Sequence, residues 1–468
     1  MVSFFPKQIA SRAIIVYLVA LVTISLIYIQ YAMKIEYIVV GIVCVCCFFL
    51  CLSNWSKGWK TLPEKRFLQR ILSIAIAIRL MWVIVSYFYY SKVTGIPFEH
   101  GAADSLGYHG EAEWLASEPW SVTWNYYFGP GSVGVSDAGY PLYLTILYKA
   151  FGPIIIIPRI IKAILGTWMC YLIYKISTRT FDESTARMSV MMCALMPNLI
   201  IYCGYHLKET EMLFLVCAFL ERADYLFRSK KFLFINILVP SLLVGVLFFF
   251  RTVIGVAAAF AFATAVLFSS TPSMKKGWKR VAIIGWGLLC VLVAGGGTIL
   301  TEIEGLWEDR EDNVARKRLE QVSRGNQWAQ YATGTVMAPM VFVLPLSTMV
   351  DVDQQYGQQE KHGGNFIRNF MGFFAILAIY EALRRKEWRN FSLIGAFAIA
   401  YLGVVSLSGF SNSERFLLPG LPCLIMMWAY GVSTLRAKTY KFFNWWCIIV
   451  FAMEVGWAFF KLGSRGLF

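Results

Sequence analysis

The chain has 468 residues, 58% of them hydrophobic and only 15% charged, with a mean hydropathy of +0.59. A soluble protein carries about 25% charged residues, so a water-soluble globular enzyme is excluded. Apolar runs of roughly 20 residues recur from end to end, each able to cross about 30 Å of hydrocarbon as a helix, whereas a barrel would alternate over ~10 residues. The net charge of +15 does not point to nucleic acid, because Lys and Arg concentrate in short loops between the apolar runs, as they do beside a bilayer.

The fold class is all-α, a polytopic transmembrane helical bundle. About thirteen spans are expected, at 11–31, 36–53, 71–91, 154–174, 187–205, 210–227, 232–250, 252–269, 281–300, 366–383, 391–409, 416–433 and 442–460. The first is too long for a signal peptide and lacks a cleavage pattern, so it is expected to remain as an anchor. The chain divides into two N-terminal spans and a loop over 1–70, a core over 71–300 with a large loop at 92–153, a second loop at 301–365, and C-terminal spans over 366–468.

Basic clusters around 7–12, 57–70, 175–187, 222–231, 275–280, 384–389 and 436–441 fall on alternate connections and hold more than half of the 43 Lys and Arg. Their side is expected to be cytoplasmic. Both long loops then lie outside, as do all four histidines, His100, His109, His206 and His362. A multi-pass protein of the cell inner (plasma) membrane with its polar chemistry facing the periplasm or exterior follows. All eleven cysteines sit within or at the ends of apolar runs, where free Cys behaves as a small hydrophobe. No CxxC pair lies in a polar loop, so a zinc site is not expected. No cofactor is indicated, and a divalent metal is left open.

The first loop opens on a polar island, Ala102 to Ala112. Asp104 to Ser117 has the pattern of an amphipathic helix with Asp104, Tyr108 and Glu111 on one face. A carboxylate at the membrane edge suits a general base that takes a proton from an acceptor hydroxyl; an Asp before a helix is also a good N-cap. An aromatic stretch from Trp120 to Phe128 suits an interfacial belt or a sugar-stacking wall. Gly139 to Phe151 is apolar but too short to span. Asp137, just before it, could reach the same cavity.

Three corners on the outer side carry a cation: Lys208, Arg251 and Arg415. They suit the phosphate of a lipid-linked ligand, or else ordinary snorkelling to headgroups. Tyr108, His109 and His206 are further candidate substrate contacts. Glu209 and Glu211 could pair with Lys208 or supply a second acid or metal ligand. Arg79, deep in the third span, is expected to pair within the bundle or snorkel, with no catalytic role. In the second loop, 302–324 is expected to be helical, and Met337 to Val350, interrupted by Pro339 and Pro345, interfacial or re-entrant.

These residues together resemble the GT-C superfamily of membrane glycosyltransferases, in the branch of the protein O-mannosyltransferases and the bacterial lipid A aminoarabinose transferase. The resemblance covers roughly residues 70–435. It rests on Asp104, Tyr108 and Ala112 in the first outer loop, on Tyr140-Pro141-Leu142-Tyr143 leading to Phe151-Gly152, and on Arg415-Phe416-Leu417-Leu418-Pro419 with Pro422. Two spans precede the loop-bearing hairpin where many relatives have none, and Asp104 is flanked by Ala103 and Ser105 where relatives often carry an acidic pair.

The resemblance implies transfer of a sugar from a polyprenyl-phosphate donor to a lipid, glycan or protein hydroxyl, with inversion. Asp104 would be the base, with Glu209 or Asp137 as a second acid, and Arg251, Arg415 and Lys208 would hold the leaving phosphate. Two other readings stand beside it. One is a polysaccharide polymerase or oligosaccharide ligase using a lipid diphosphate. The other is a lipid or polysaccharide transporter, which would place ionisable groups at mid-membrane beside paired broken helices.

Overall fold

The computed structural model describes residues 3–129, 138–229, 234–268, 340–352, 355–407, 413–463 and 467. Every regular element among them is helical. Helices α1 (Lys7–Ile27), α2 (Ile35–Gly58) and α3 (Glu64–Val93) come first. The first large loop then folds into α4 (Ala103–Ser117), α5 (Trp120–Phe128) and α6 (Gly139–Phe151). Next are α7 (Ile156–Thr180), α8 (Glu183–Leu195), α9 (Pro197–Gly204), α10 (Glu209–Arg228), α11 (Phe234–Phe250) and α12 (Thr252–Phe268). The C-terminal part holds α13 (Tyr356–Glu360), α14 (His362–Arg384), α15 (Ser392–Leu407), the single turn α16 (Glu414–Leu417), α17 (Leu421–Ser433) and α18 (Tyr440–Gly463).

Seven of these are long and apolar enough to cross a membrane: α1, α2, α3, α7, α14, α16 with α17, and α18. The apolar pair α8–α9 is bent by 42° at its break, as in a broken span or a re-entrant loop, and α11, α12 and α15 are shorter apolar helices. The chain is a multi-pass membrane protein. The expected span at 281–300, the charged helix at 302–324 and Asp137 lie outside the described residues.

Local chemistry sets the helix ends. Pro6 and Pro63 precede α1 and α3, where a missing N–H costs nothing. Asp182 caps α8, its side chain accepting from the Thr185 N–H at 3.1 Å. Pro197 opens α9 at the break. The break strands carbonyls at the end of α8, and in lipid these must be satisfied internally. Arg79, fully buried on α3, does this: its guanidinium donates to the carbonyls of Cys193 (3.1 Å) and Ala194 (3.2 Å). Its partners are within the bundle, and it does not reach an interface.

α17 lies at the centre, packed against α14 and α8, while α7 packs on α3, α8 and α10, and α12 on α15. The outer helices turn apolar residues outward: Ile15, Val19, Val22 and Leu26 on α1, and Met81, Ile84, Val85 and Phe88 on α3 are exposed. Such a stripe would be a liability in water and is the natural lipid face here.

Residues 340–352 are irregular yet buried from Val343 to Val350. Their backbone is met by side chains. Asn369 donates to the carbonyl of Pro345 at 2.8 Å, and the Ser347 hydroxyl bridges Asn369 and Glu454 at 3.0 and 3.1 Å. The stretch from Met340 on is thus held inside the protein.

Among the described residues, the corners rich in Lys and Arg share one end of the bundle. Arg187 donates to the Trp59 carbonyl (3.1 Å), Arg228 to Thr180 (3.5 Å), and Phe181 stacks on Tyr430 at 4.9 Å. The other end gathers α4–α6, the α9–α10 corner, α13 and α16. There the Asp351 N–H meets the Tyr31 carbonyl (2.7 Å), and Tyr90 donates to Glu360 (2.5 Å).

Candidate active site

Three separate segments deliver charged side chains to one point at this second end. Helix α4 begins after Ala102, which has no side-chain cap, so Asp104 sits in the first turn and is not the N-cap. Negative charge there is favoured by the helix dipole. Helix α10 begins at Glu209, directly after the corner that follows α9. The turn α16 carries Glu414 and Arg415 as neighbours.

Arg415 joins the three segments. Its Nε donates to Glu209 Oε1 and its Nη1 to Asp104 Oδ2. The two carboxylates are unlike in setting. The Glu209 side chain is 0% exposed and Asp104 57%. Lys208 stands 5.7 Å from the Tyr108 ring, and Tyr108 packs edge-on against Tyr140 at 5.3 Å. Arg251, between α11 and α12, lies 4.1 Å over the ring of Phe416, the residue after Arg415. Its Nη1 is buried with no hydrogen-bond partner among the described residues. The structure thus brings Asp104, Glu209 and Arg415 into direct contact, with Lys208, Tyr108 and Arg251 around them.

The two candidate histidines form a chain on the α6 side of α4. His109 Nδ1 lies 2.8 Å from the Tyr148 hydroxyl, which lies 3.1 Å from His206 Nε2. Phe98 packs on both rings, at 5.4 and 5.7 Å. Burial lowers both pKa values, that of His206 far below the usual histidine range. His206 is therefore neutral at physiological pH and adds no positive charge for an anion. Tyr140, 6.2 Å from His206, is the ring shared with the carboxylate cluster.

The adjacency of Glu209 and Glu211 to Lys208 is misleading. Glu209 goes to Arg415, and Glu211 faces the buried Lys162 of α7 at 3.7 Å. Lys162 in turn donates to the carbonyls of Tyr205 (2.8 Å) and Leu207, which holds the α9–α10 corner in place.

A second polar layer is missing from the sequence reading. Glu414 accepts from Asn198 and Tyr202 (3.3 Å) and pairs with Lys361 at 3.2 Å, while Asn198 also donates to Asn365 at 2.9 Å. Glu360 takes the hydroxyls of Tyr90 and Tyr205, the latter at 3.0 Å, and burial pushes its pKa up. Its one sequence signal is the polar residue in an apolar run, Asn198 right after Pro197. Among the described residues no group of three or more His, Cys, Asp or Glu is gathered to hold a metal ion.

No family model matches the chain, and no curated protein matches it. Solved structures do. ArnT from Cupriavidus metallidurans bound to undecaprenyl phosphate is similar at a TM-score of 0.52 and 13% identity, covering 83% of this chain and 64% of that one. The archaeal oligosaccharyltransferase AglB from Archaeoglobus fulgidus, in complex with an inhibitory peptide and a dolichol-phosphate, is similar at 0.47 and 14%, covering 86% and 56%. The chain thus spans less than two thirds of the length of either. At such identity the likeness speaks for the fold alone: the described helices are arranged in a fold similar to that of ArnT.

Proposed function

We propose that this chain is a membrane glycosyltransferase that moves a sugar from a polyprenyl-phosphate donor to an acceptor hydroxyl. The observation that carries this is the cluster of Asp104, Arg415 and Glu209, with Lys208 and Arg251 beside it, at the end of a GT-C-like bundle opposite its basic corners. The bound undecaprenyl phosphate of the ArnT structure supports a lipid phosphate as ligand.

The acceptor O–H gives its proton to the Asp104 carboxylate as its oxygen attacks the anomeric carbon from the face opposite the phosphate. The bond from that carbon to the phosphate oxygen breaks, and the phosphate departs with the electron pair. Arg251, Arg415 and Lys208 meet the charge that grows on it. Glu209 holds Arg415, and Asp137 remains a candidate second acid. Tyr108 lines the site, while His109 and His206 shape its α6 side. The acceptor is a lipid, glycan or protein. A lipid diphosphate donor would use the same cations.

The break between α8 and α9 is the feature a transporter would use, but Arg79 occupies its open carbonyls, which favours the enzyme. The Lys and Arg distribution supports an inner-membrane protein with the site facing outward. A Cys placed at exposed Ser117 is expected to react with an impermeant maleimide from outside; labelling only after permeabilisation would reverse this orientation.

Undecaprenyl phosphate titrated into the purified protein tests the phosphate role. Arg251→Ala and Arg415→Ala are each expected to weaken binding by about tenfold or more, since each removes a charge-assisted donor. Unchanged affinity in both would rule out the assignment.

A further inference from the structure

Arg415 holds two carboxylates of opposite character, and this asymmetry has a mechanistic use. The Glu209 side chain is 0% exposed, whereas that of Asp104 is 57% exposed. An ion pair with an exposed partner is worth little and exchanges readily. One with a fully buried partner is costly to break, because a desolvated charge is left behind. An anion arriving at the guanidinium therefore displaces Asp104 and leaves Glu209 in place.

Two neighbours favour a phosphate as that anion. Arg251 lies over Phe416, next to Arg415, and its buried Nη1 has no partner among the described residues. Lys208 sits against Tyr108, one helical turn beyond Asp104. Behind Arg415, Glu414 fastens the α16 turn through Lys361, Tyr202 and Asn198, so the guanidinium turns on a fixed base.

While Arg415 donates to Oδ2, that carboxylate oxygen is occupied by the guanidinium and is not open to an acceptor hydroxyl. We infer that Arg415 is an exchangeable latch: the lipid phosphate takes its outer arm from Asp104 and thereby frees the base, while Glu209 is a positioning residue that holds the inner arm. The donor then binds before the acceptor is activated. This rests on the reading of the site as a polyprenyl-phosphate site and adds to it an order of events.

Two isosteric changes separate the latch from simple electrostatics. Asp104→Asn and Glu209→Gln each remove one negative charge near the same guanidinium. A uniform field effect would tighten anion binding in both. The latch gives opposite signs. Undecaprenyl phosphate is titrated into the full-length protein in nanodiscs. Asp104→Asn is expected to bind it about threefold more tightly, since an exposed competitor is gone. Glu209→Gln is expected to bind it about tenfold more weakly, since the guanidinium loses its anchor.

Tightening in both variants, or unchanged or weaker binding in Asp104→Asn, overturns the latch. Wild-type protein that binds no undecaprenyl phosphate overturns the underlying reading of the site instead. If Glu209→Gln does not fold, the test moves to an Arg415→Ala background. There the gain from Asp104→Asn is expected to vanish, and its persistence overturns the latch.

Discussion

Asp104→Asn is expected to lower sugar transfer by about 10²- to 10⁴-fold, the range that a positioned general base contributes. Asn matches Asp in size and leaves the first turn of α4 intact, so the loss reads out the proton acceptor and not the fold. It also fits beside Arg415, which still has Glu209 as its buried partner. The measurement is single-turnover transfer by purified protein with a polyprenyl-phosphate sugar, alongside the binding titration. The distinctive outcome is loss of turnover with donor affinity improved. Turnover close to that of the wild type would remove Asp104 from the mechanism.

The second large effect is on stability. Arg79→Met is expected to destabilise the protein by about 3–5 kcal/mol, because carbonyls that the Pro197 break leaves open lose their donors inside the bundle. Membrane proteins often unfold irreversibly, so the readout is the apparent Tm in detergent at a fixed scan rate. Met fills much of the volume and supplies no N–H. Arg79→Lys is expected to fall between the two, since an ammonium lacks the planar fork that spans two successive carbonyls. A second change gives the sharper check. Pro197→Ala restores an N–H for the Cys193 carbonyl, so it is expected to recover part of the loss in the Arg79→Met background while doing little alone. An Arg79→Met protein with unchanged Tm would show that those carbonyls are met in another way.

These cases mark where the sequence was readable. Apolar runs of the right length foretold the positions of the helices, because the need to satisfy the backbone in lipid acts over neighbouring residues. The 3.6-residue pattern placed α4, and the short apolar run placed α6. Pairing was harder to see. Arg79 and Cys193 stand 114 residues apart, and Asp104 and Arg415 stand 311 apart. Topology brought Asp104 and Arg415 to the same end of the membrane but could not say that they touch. Neighbourhood in the chain misled at Glu211, whose partner is Lys162 on another helix and not Lys208. The Glu414 layer went unseen because a single buried acid next to a cation looks like an ordinary surface pair until Asn198, Tyr202 and Lys361 are folded around it.

The Tyr148 hydroxyl owns one proton and stands between two imidazole rings. If it gives that proton to one ring, it must accept from the other, so the two histidines cannot choose their tautomers independently. When His109, partly buried and 3.8 Å from Glu113, takes a second proton, its Nδ1–H turns toward Tyr148. The hydroxyl then gives its own proton to His206 Nε2, and the inner ring must carry its remaining N–H on Nδ1. An acidification at the rim is thus written into the tautomer of a buried neutral ring, with no charge carried inward.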